Sequence, residues 1–367
     1  MIPKRIACVV GARPNFMKVA PVYAALTQAG LDTRLVHTGQ HYDAKMSTVF
    51  FDDLGMPRPD AFLGVGSGDH AQQTANILTK FDEDVAAWQP DLVLVAGDVN
   101  STIACALVAA KRNIAVGHIE AGLRSRDWTM PEEVNRVLTD ACADILLTPS
   151  RDADENLEAE GVPPWRIHFV GNCMIDSLRT HLTRARELQT PQSLGLTLGQ
   201  YAVATLHRPS NVDDPQRLSA LLDALGQVAK HTPVLFPIHP RTQKRIDDHG
   251  LVVPADVRLV EPMGYLQFLG TMADALVLVT DSGGIQEETT ALGVPCLTLR
   301  ANTERPITVE QGTNILLGLD PHLIPPAVAE IRAGRSKVGR VPEGWDGHAA
   351  SRVAAVLQKG VRTLREA

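Results

Sequence analysis

No stretch of the sequence approaches the ~20 consecutive apolar residues that a membrane span requires, so a membrane-embedded protein is not expected. The opening Met1-Ile2-Pro3-Lys4-Arg5 leads into only five apolar residues before Gly11. That run is too short for the apolar core of a signal peptide and reads as a first buried strand. Long Lys/Arg runs are also missing and the net charge is −7, which argues against nucleic-acid binding through a broad basic face. Cysteine is scarce and scattered: Cys8, Cys105, Cys142, Cys173 and Cys296 form no Cys-x-x-Cys pair. Most sit inside apolar runs, as free thiols do in a reducing, cytoplasmic compartment, and none has a base or orienting partner close in sequence. Neither a G-x-G-x-x-G nor a P-loop spacing occurs, so dinucleotide and Walker-type readings fail. The histidines lack close ligand spacing, and no metal or other cofactor is expected.

The 367 residues present are 44% hydrophobic and 21% charged, the profile of a globular protein with room for two α/β domains. Short β-branched runs alternate with longer segments of helical period. Strands are predicted at 5–10, 33–37, 92–96, 114–119, 145–148 and 167–170, with helices at 18–28, 71–88, 102–111, 132–143 and 153–160. Pro131 followed by Glu132 and Glu133 makes a good helix start. Around 182–198 the periodicity fades into a polar stretch containing Pro191, read as the hinge between domains. A second series follows, with strands at 201–205, 234–237, 257–259, 275–280, 296–299 and 314–316, and helices at 214–230, 265–272 and 285–292. An amphipathic helix at 349–364 ends the chain. The fold class is α/β, with two Rossmann-like domains facing across a cleft, and ligands are expected at the carboxyl ends of the strands.

Residues with chemistry do follow the strands. After the first come Gly11-Ala12-Arg13-Pro14 and, into the helix, Lys18; Arg13 and Lys18 can complement a phosphate or remain solvated charges. Gly97-Asp98 follows the third, where Asp98 is equally placed to cap the next helix. Glu120 ends the fourth and can pair with Arg124 or Arg136, while Glu132 and Glu133 suit a helix first turn. Convergence favours chemistry: Asp98 and Glu120 leave neighbouring strands and Glu132 lies one loop on. Carboxylates meeting there would raise one another's pKa, as general acid–base work requires. In the second half His207-Arg208 exits a strand. Asp281-Ser282-Gly283-Gly284 then opens a helix whose N–H groups can hold a pyrophosphate, with Glu288 one turn inside to bind ribose hydroxyls. Arg300 and Thr303-Glu304-Arg305-Pro306 add positive charge near the same edge.

Taken in order, the blocks 11–18, 38–41, 97–98, 118–124, 131–136, 171–172, 207–208, 281–288 and 303–306 resemble the non-hydrolysing UDP-N-acetylglucosamine 2-epimerases. The resemblance implies a glycosyltransferase-B-like pair of domains, residues 1–178 and 179–348, with the helix of 349–367 packing back on the first. It also implies a homodimer and a UDP-sugar substrate. Nucleotide contacts carry over to Arg13, Lys18, His207, Phe268, Ser282, Gly283 with Gly284, and Glu288. Catalytic roles carry over to Asp98, Glu120 and Glu132, with His207 beside them. The implied chemistry eliminates UDP across C1–C2 to give 2-acetamidoglucal, then re-adds it with C2 inverted.

Two departures, Pro209-Ser210 where many members carry Arg-Glu and Ile307 where many carry Glu, bear on the sugar's substituents. Some bacterial members also bind a second UDP-N-acetylglucosamine as activator through a Gln-His-x-x-Gln-like and an Arg-Gln-Thr stretch. Here these read Gln40-His41-Tyr42-Asp43 and Gln72-Gln73-Thr74, so weak or absent activation is expected. Rival readings are a retaining glycosyltransferase, a hydrolysing epimerase and a non-enzymatic sugar-nucleotide sensor. An epimerase of a 2,3-diacetamido uronate derivative is a further variant.

Overall fold

The computed structural model describes residues 1–40 and 51–366, and of Arg13 the backbone only. His41, Tyr42 and Asp43 of the first activator stretch lie outside the described residues. The chain divides into two compact units, 1–180 with 343–367, and 181–342.

In unit 1 the described strands are β1 (Arg5–Val10), β2 (Asp32–His37), β3 (Ala61–Phe62), β4 (Leu92–Ala96), β5 (Ala115–Ile119), β6 (Ile145–Thr148) and β7 (Ile167–Phe169). They pair in parallel in the order β3-β2-β1-β4-β5-β6-β7. Interleaved are α1 (Arg13–Gln28), α2 (His70–Trp88), α3 (Asn100–Lys111), α4 (Pro131–Cys142), α5 (Arg151–Ala159) and α6 (Cys173–Glu187). A parallel sheet is buried on both faces, which explains why β4 and β5 read as unbroken buried runs. Ile77, Phe81 and Val85, four residues apart on α2, join Val9, Val36 and Val93 in one core.

In unit 2, β8 (Ala202–Thr205), β9 (Val234–Pro237), β10 (Val257–Val260), β11 (Val277–Thr280), β12 (Cys296–Thr298) and β13 (Asn314–Leu316) pair in parallel in the order β10-β9-β8-β11-β12-β13. Its longer helices are α7 (Pro215–Ala229), α8 (Pro240–Asp248), α9 (Tyr265–Ala273), α10 (Gly283–Leu292) and α11 (Ile324–Arg332). The chain then returns to unit 1 with α12 (Ala349–Gln358), which packs on α1 and whose first two N–H groups are accepted by Asp176. Both strand orders reverse direction once, at β1/β4 and at β8/β11. Such switch points open a crevice at the carboxyl ends of the two strands, where ligands bind. Among the described residues no helix is long and apolar enough to cross a membrane.

Several expectations need correction. The polar stretch from 182 is not a hinge throughout, because α6 continues to Glu187 and a short turn of helix spans Thr190–Ser193. Its arginine-rich surface face hid the periodicity. The last helix stops at Gln358, since Gly360 adopts φ 99° and breaks it, and only a 3₁₀ turn follows at Leu364–Glu366. Helix α1 begins five residues before the predicted start, with Pro14 in its first turn, where a missing N–H costs nothing. Pro21 lies inside the same helix and leaves the Met17 carbonyl without its usual donor, and the Ser177 hydroxyl of α6 donates to it at 2.6 Å.

Candidate active site

The turn after β1 is held by Asn15. Its Oδ1 accepts the Gly11 and Ala12 N–H groups at 3.2 and 3.0 Å, and its Nδ2 donates to the Ala96 carbonyl at 2.8 Å. One amide therefore ties the start of α1 to the end of β4, across the switch point. Lys18, one turn on, forms a buried ion pair with Glu120 from the end of β5, both side chains being only 6% exposed. Gly97 lies under this pair: a Cβ there would come 3.0 Å from Lys18 Nζ and 3.3 Å from Glu120 Oε2. Its φ of 66° is a second reason for glycine. Glu120 itself sits at φ 70°, a left-handed conformation that costs a non-glycine residue of order 1–3 kcal/mol and persists only where its surroundings dictate it.

Asp98 does not cap α3, whose N-cap is Val99; its carboxylate pairs with Arg136 of α4, and its carbonyl accepts from Asn135. Arg136 also pairs with the neighbouring Glu133. The Glu133 carboxylate is saturated, accepting the Ser125 and Arg126 N–H groups at 2.9 and 2.8 Å. Burial raises its pKa, but those donors and Arg136 outweigh it and hold the carboxyl low. Glu132 is half-buried and makes no hydrogen bond or ion pair among the described residues, which leaves it available to a ligand. Asp98 and Glu120 each meet a cation, Arg136 and Lys18, on different elements. Arg124 goes to Asp140 and Glu160, both at 2.7 Å.

At the second switch point Asp281, fully buried after β11, organises the turn after β8. It accepts the N–H groups of His207 and Arg208 at 3.0 and 2.9 Å, the Asn211 amide at 3.1 Å, and faces His207 Nδ1 at 3.0 Å. Burial opposes ionisation of Asp281, but the His207 ring and these donors outweigh it and hold the carboxyl below its usual range. His207 keeps 40% of its side chain exposed.

Ser282 is the N-cap of α10, with no side-chain cap bond, and Gly283 and Gly284 form the first turn. A Cβ on Gly283 would fall 2.6 Å from Arg305 Nη1 and 2.7 Å from Glu304 Oε1. Those charges belong to a buried network in which Arg300 pairs with Glu304 at 2.7 Å, and Arg305 with Glu287 at 2.7 Å and with Glu304. Glu288 is buried one turn further, with Oε1 meeting no hydrogen-bond partner among the described residues. Burial and the adjacent Glu287 charge push its carboxyl up to about 8, against the lowering effect of the Tyr265 hydroxyl that faces it. Phe268 is half-buried on α9, the helix that carries Tyr265.

Unit 1 thus gathers Lys18, Asp98, Glu120 and Glu132 at or beside its switch point, and unit 2 gathers His207, Ser282, Gly283, Gly284 and Glu288 at its own. Sequence reasoning missed the residues that brace them. Asp140, in the third turn of α4, carried no local signal. Asp281 stood inside a quoted block, but only its contacts reveal its role. In the second activator stretch, Gln73 is buried and donates to the Gln40 and Gly66 carbonyls, at 3.2 and 2.9 Å, while Gln72 donates to Asn76 at 2.9 Å.

Comparison with known proteins places this geometry. A family model described as UDP-N-acetylglucosamine 2-epimerase matches residues 24–358. A UDP-N-acetylglucosamine 2-epimerase of Methanococcus maripaludis is 41% identical over 329 residues, covering 87% of this chain and 89% of the relative. A UDP-2,3-diacetamido-2,3-dideoxy-D-glucuronate 2-epimerase of Pseudomonas aeruginosa is 39% identical over 364 residues, covering 97% and 99%. The crystal structure of the Methanocaldococcus jannaschii UDP-GlcNAc 2-epimerase, solved with UDP-GlcNAc and UDP, superposes with a TM-score of 0.90 at 38% identity, covering 97% of this chain and all of that one. Two parallel sheets with one switch point each, and chemistry-bearing residues at both, accord with these likenesses. The chain belongs to the UDP-N-acetylglucosamine 2-epimerase family.

Proposed function

We propose that this protein inverts C2 of a UDP-linked 2-acetamido sugar, interconverting UDP-N-acetylglucosamine and UDP-N-acetylmannosamine. The observation that carries the reading is the placement of Asp98 and Glu120 at the ends of adjacent strands β4 and β5, each against a cation, with Glu132 left unengaged. The hydrogen on C2 is not flanked by a carbonyl, so direct deprotonation would leave an unstabilised carbanion. Elimination avoids this: a carboxylate removes the C2 proton, the C1–O bond breaks with its electrons going to the UDP β-phosphate, and C1=C2 forms. Re-addition returns a proton to the other face of C2 and re-forms the C1–O bond, so atoms balance and no hydride carrier is needed. Asp98, Glu120 and Glu132 are the candidates for the two proton transfers. Lys18 supplies positive charge on the unit 1 side, and the family resemblance assigns Arg13 the same role.

On the unit 2 side the α10 N-terminus offers N–H groups to the diphosphate, Glu288 is suited to the ribose hydroxyls and Phe268 to an apolar contact, while His207 is set by Asp281. A homodimer in the cytoplasm is part of the same reading, on the family resemblance. A second reading, a 2-epimerase of UDP-2,3-diacetamido uronate, is favoured by the Pseudomonas relative, which is as similar as the N-acetylglucosamine epimerases.

The test incubates the protein with each sugar nucleotide in deuterated water and follows C2 by NMR. C2-deuterated epimer from UDP-N-acetylglucosamine supports the first reading, and from the diacetamido uronate alone the second. Release of free sugar would make the protein a hydrolysing enzyme, and an unchanged C2 in both would overturn the proposal.

A further inference from the structure

His118 and Asp140 form a pair that the reaction as written does not use. His118 lies in β5, wholly buried, and Asp140 in α4 is almost so. His118 Nδ1 meets Asp140 Oδ1 at 2.6 Å, and its Nε2 meets the Gly97 carbonyl at 2.8 Å. That carbonyl oxygen can only accept, so Nε2 carries a proton. The other Asp140 oxygen accepts the Gly122 N–H at 3.1 Å and Arg124 Nη1 at 2.7 Å. Burial alone would raise the Asp140 carboxyl, but the His118 and Arg124 charges hold it below its usual range.

A buried polar pair of this kind is expensive unless every polar atom is satisfied, and breaking it exposes the cost. What distinguishes this pair from core filling is where its bonds end. One end holds the carbonyl of Gly97, the residue before Asp98. The other holds the N–H of Gly122, two residues after Glu120, in the turn where Glu120 takes its left-handed φ of 70°. Asp140 also rides on α4, whose first turn carries Glu132 and whose Arg136 pairs with Asp98. The elements bearing all three carboxylates are thus joined through one histidine and one aspartate.

We infer that His118 and Asp140 are positioning residues for the epimerisation, setting Asp98 and Glu120 in register through the backbone of Gly97 and Gly122. This rests on the epimerase reading. A general acid–base pair displaced by about 1 Å loses on the order of 100-fold in rate while remote binding contacts persist. The bond to the Gly97 carbonyl is the decisive link, and two substitutions separate it from the rest. The amide of glutamine reaches the place of Nε2 and keeps the link to Gly97, whereas that of asparagine reaches the place of Nδ1 and keeps only the link to Asp140.

The experiment measures kcat, UDP affinity and Tm for the full-length parent, His118→Gln, His118→Asn and Asp140→Asn, on whichever of the two sugar nucleotides the parent turns over. His118→Asn should lose about 100-fold in kcat and His118→Gln less than about 10-fold, with UDP affinity held within about 2-fold in all three. Hydrogen exchange should rise about 10-fold or more at the 97–98 amides in His118→Asn and at the 120–122 amides in Asp140→Asn, with neither rising in His118→Gln. Equal kcat losses in the glutamine and asparagine variants, or losses matched by UDP affinity, would overturn the inference. A parent inert on both substrates would instead defeat the epimerase reading, and the exchange arm would still decide the positioning, uniform exchange across the variants refuting it.

Discussion

Replacing Glu288 by glutamine exchanges a buried ionisable group for a neutral one of the same shape, and the consequence for stability depends on pH. The unfolded carboxyl ionises near 4.5, whereas burial and the Glu287 charge push the native one up to about 8. Between those values the native state holds a proton that the unfolded chain has already released. A folded pKa raised above the unfolded one contributes stability that is complete below 4.5 and is lost as pH rises through about 8. The slope is about 1.4 kcal/mol per pH unit, flattening near the native pKa, so the parent should lose about 2 kcal/mol from this group between pH 6 and pH 8. Glu288→Gln loses nothing by this route. The variant should therefore gain about 2 kcal/mol on the parent over that interval, whatever its fixed offset from an altered Tyr265 contact. Tyr265 adds no slope of its own, since burial and the Glu288 charge keep its hydroxyl neutral there. The assay is urea unfolding at pH 6, 7 and 8. Trp88, Trp128, Trp165 and Trp345 all lie in unit 1, so tryptophan emission is blind to unit 2 and the far-UV signal must be followed. A gap that stays constant with pH would show that Glu288 is ionised in the native protein and that the reasoning about its burial is wrong. Glu288→Ala, which removes the group assigned to the ribose in the proposed reading, should instead weaken UDP binding.

Asp98→Asn, Glu120→Gln and Glu132→Gln should each lower turnover by at least ~100-fold with UDP affinity largely preserved, measured by progress curves beside UDP calorimetry. Glu120→Gln also strands the buried Lys18 charge, so of the three it should lower Tm most. Gly283→Ala drives a methyl into the Arg305 and Glu304 side chains and should cost unit 2 about 1–3 kcal/mol in unfolding free energy, with weaker UDP binding. Reactions started from purified UDP-N-acetylmannosamine should run without a lag, since Gln72 stands where activator-dependent relatives carry arginine and Gln73 is occupied by backbone carbonyls. A lag abolished by trace UDP-N-acetylglucosamine would refute that expectation.

The alternation of strand and helix was legible because a parallel sheet needs apolar runs of a length that helices do not share, as β1, β4 and β6 illustrate. Helices α6, α8 and α11 escaped notice. Pro240–Asp248 buries only Thr242 and Ile246, so its apolar stripe is too thin to register. Ile324–Arg332 opens on two prolines, which read as helix breakers although a first turn accommodates them at no cost. The residues that leave a strand at its carboxyl end were legible as such, which covers Asp98, Glu120, His207 and Ser282.

What sequence order could not convey is partnership. Asp98 and Arg136 are 38 residues apart, Lys18 and Glu120 are 102, and His207 and Asp281 are 74. In a sheet whose strand order reverses at a switch point, such separations are the rule, because the two strands that flank the crevice are never consecutive in the chain. The sequence reading placed Asp98 and Glu120 after neighbouring strands, as β4 and β5 are, but identified neither Arg136 as the partner of Asp98 nor Lys18 as that of Glu120. The folded protein meets Asp98 and Glu120 with cations drawn from elsewhere, Arg136 from α4 and Lys18 from α1. This arrangement suits a reaction in which protons move both ways at one carbon. In the proposed reaction a fixed cation beside each carboxylate would keep it oriented between transfers, and Glu132 is the acid whose side chain meets no partner among the described residues.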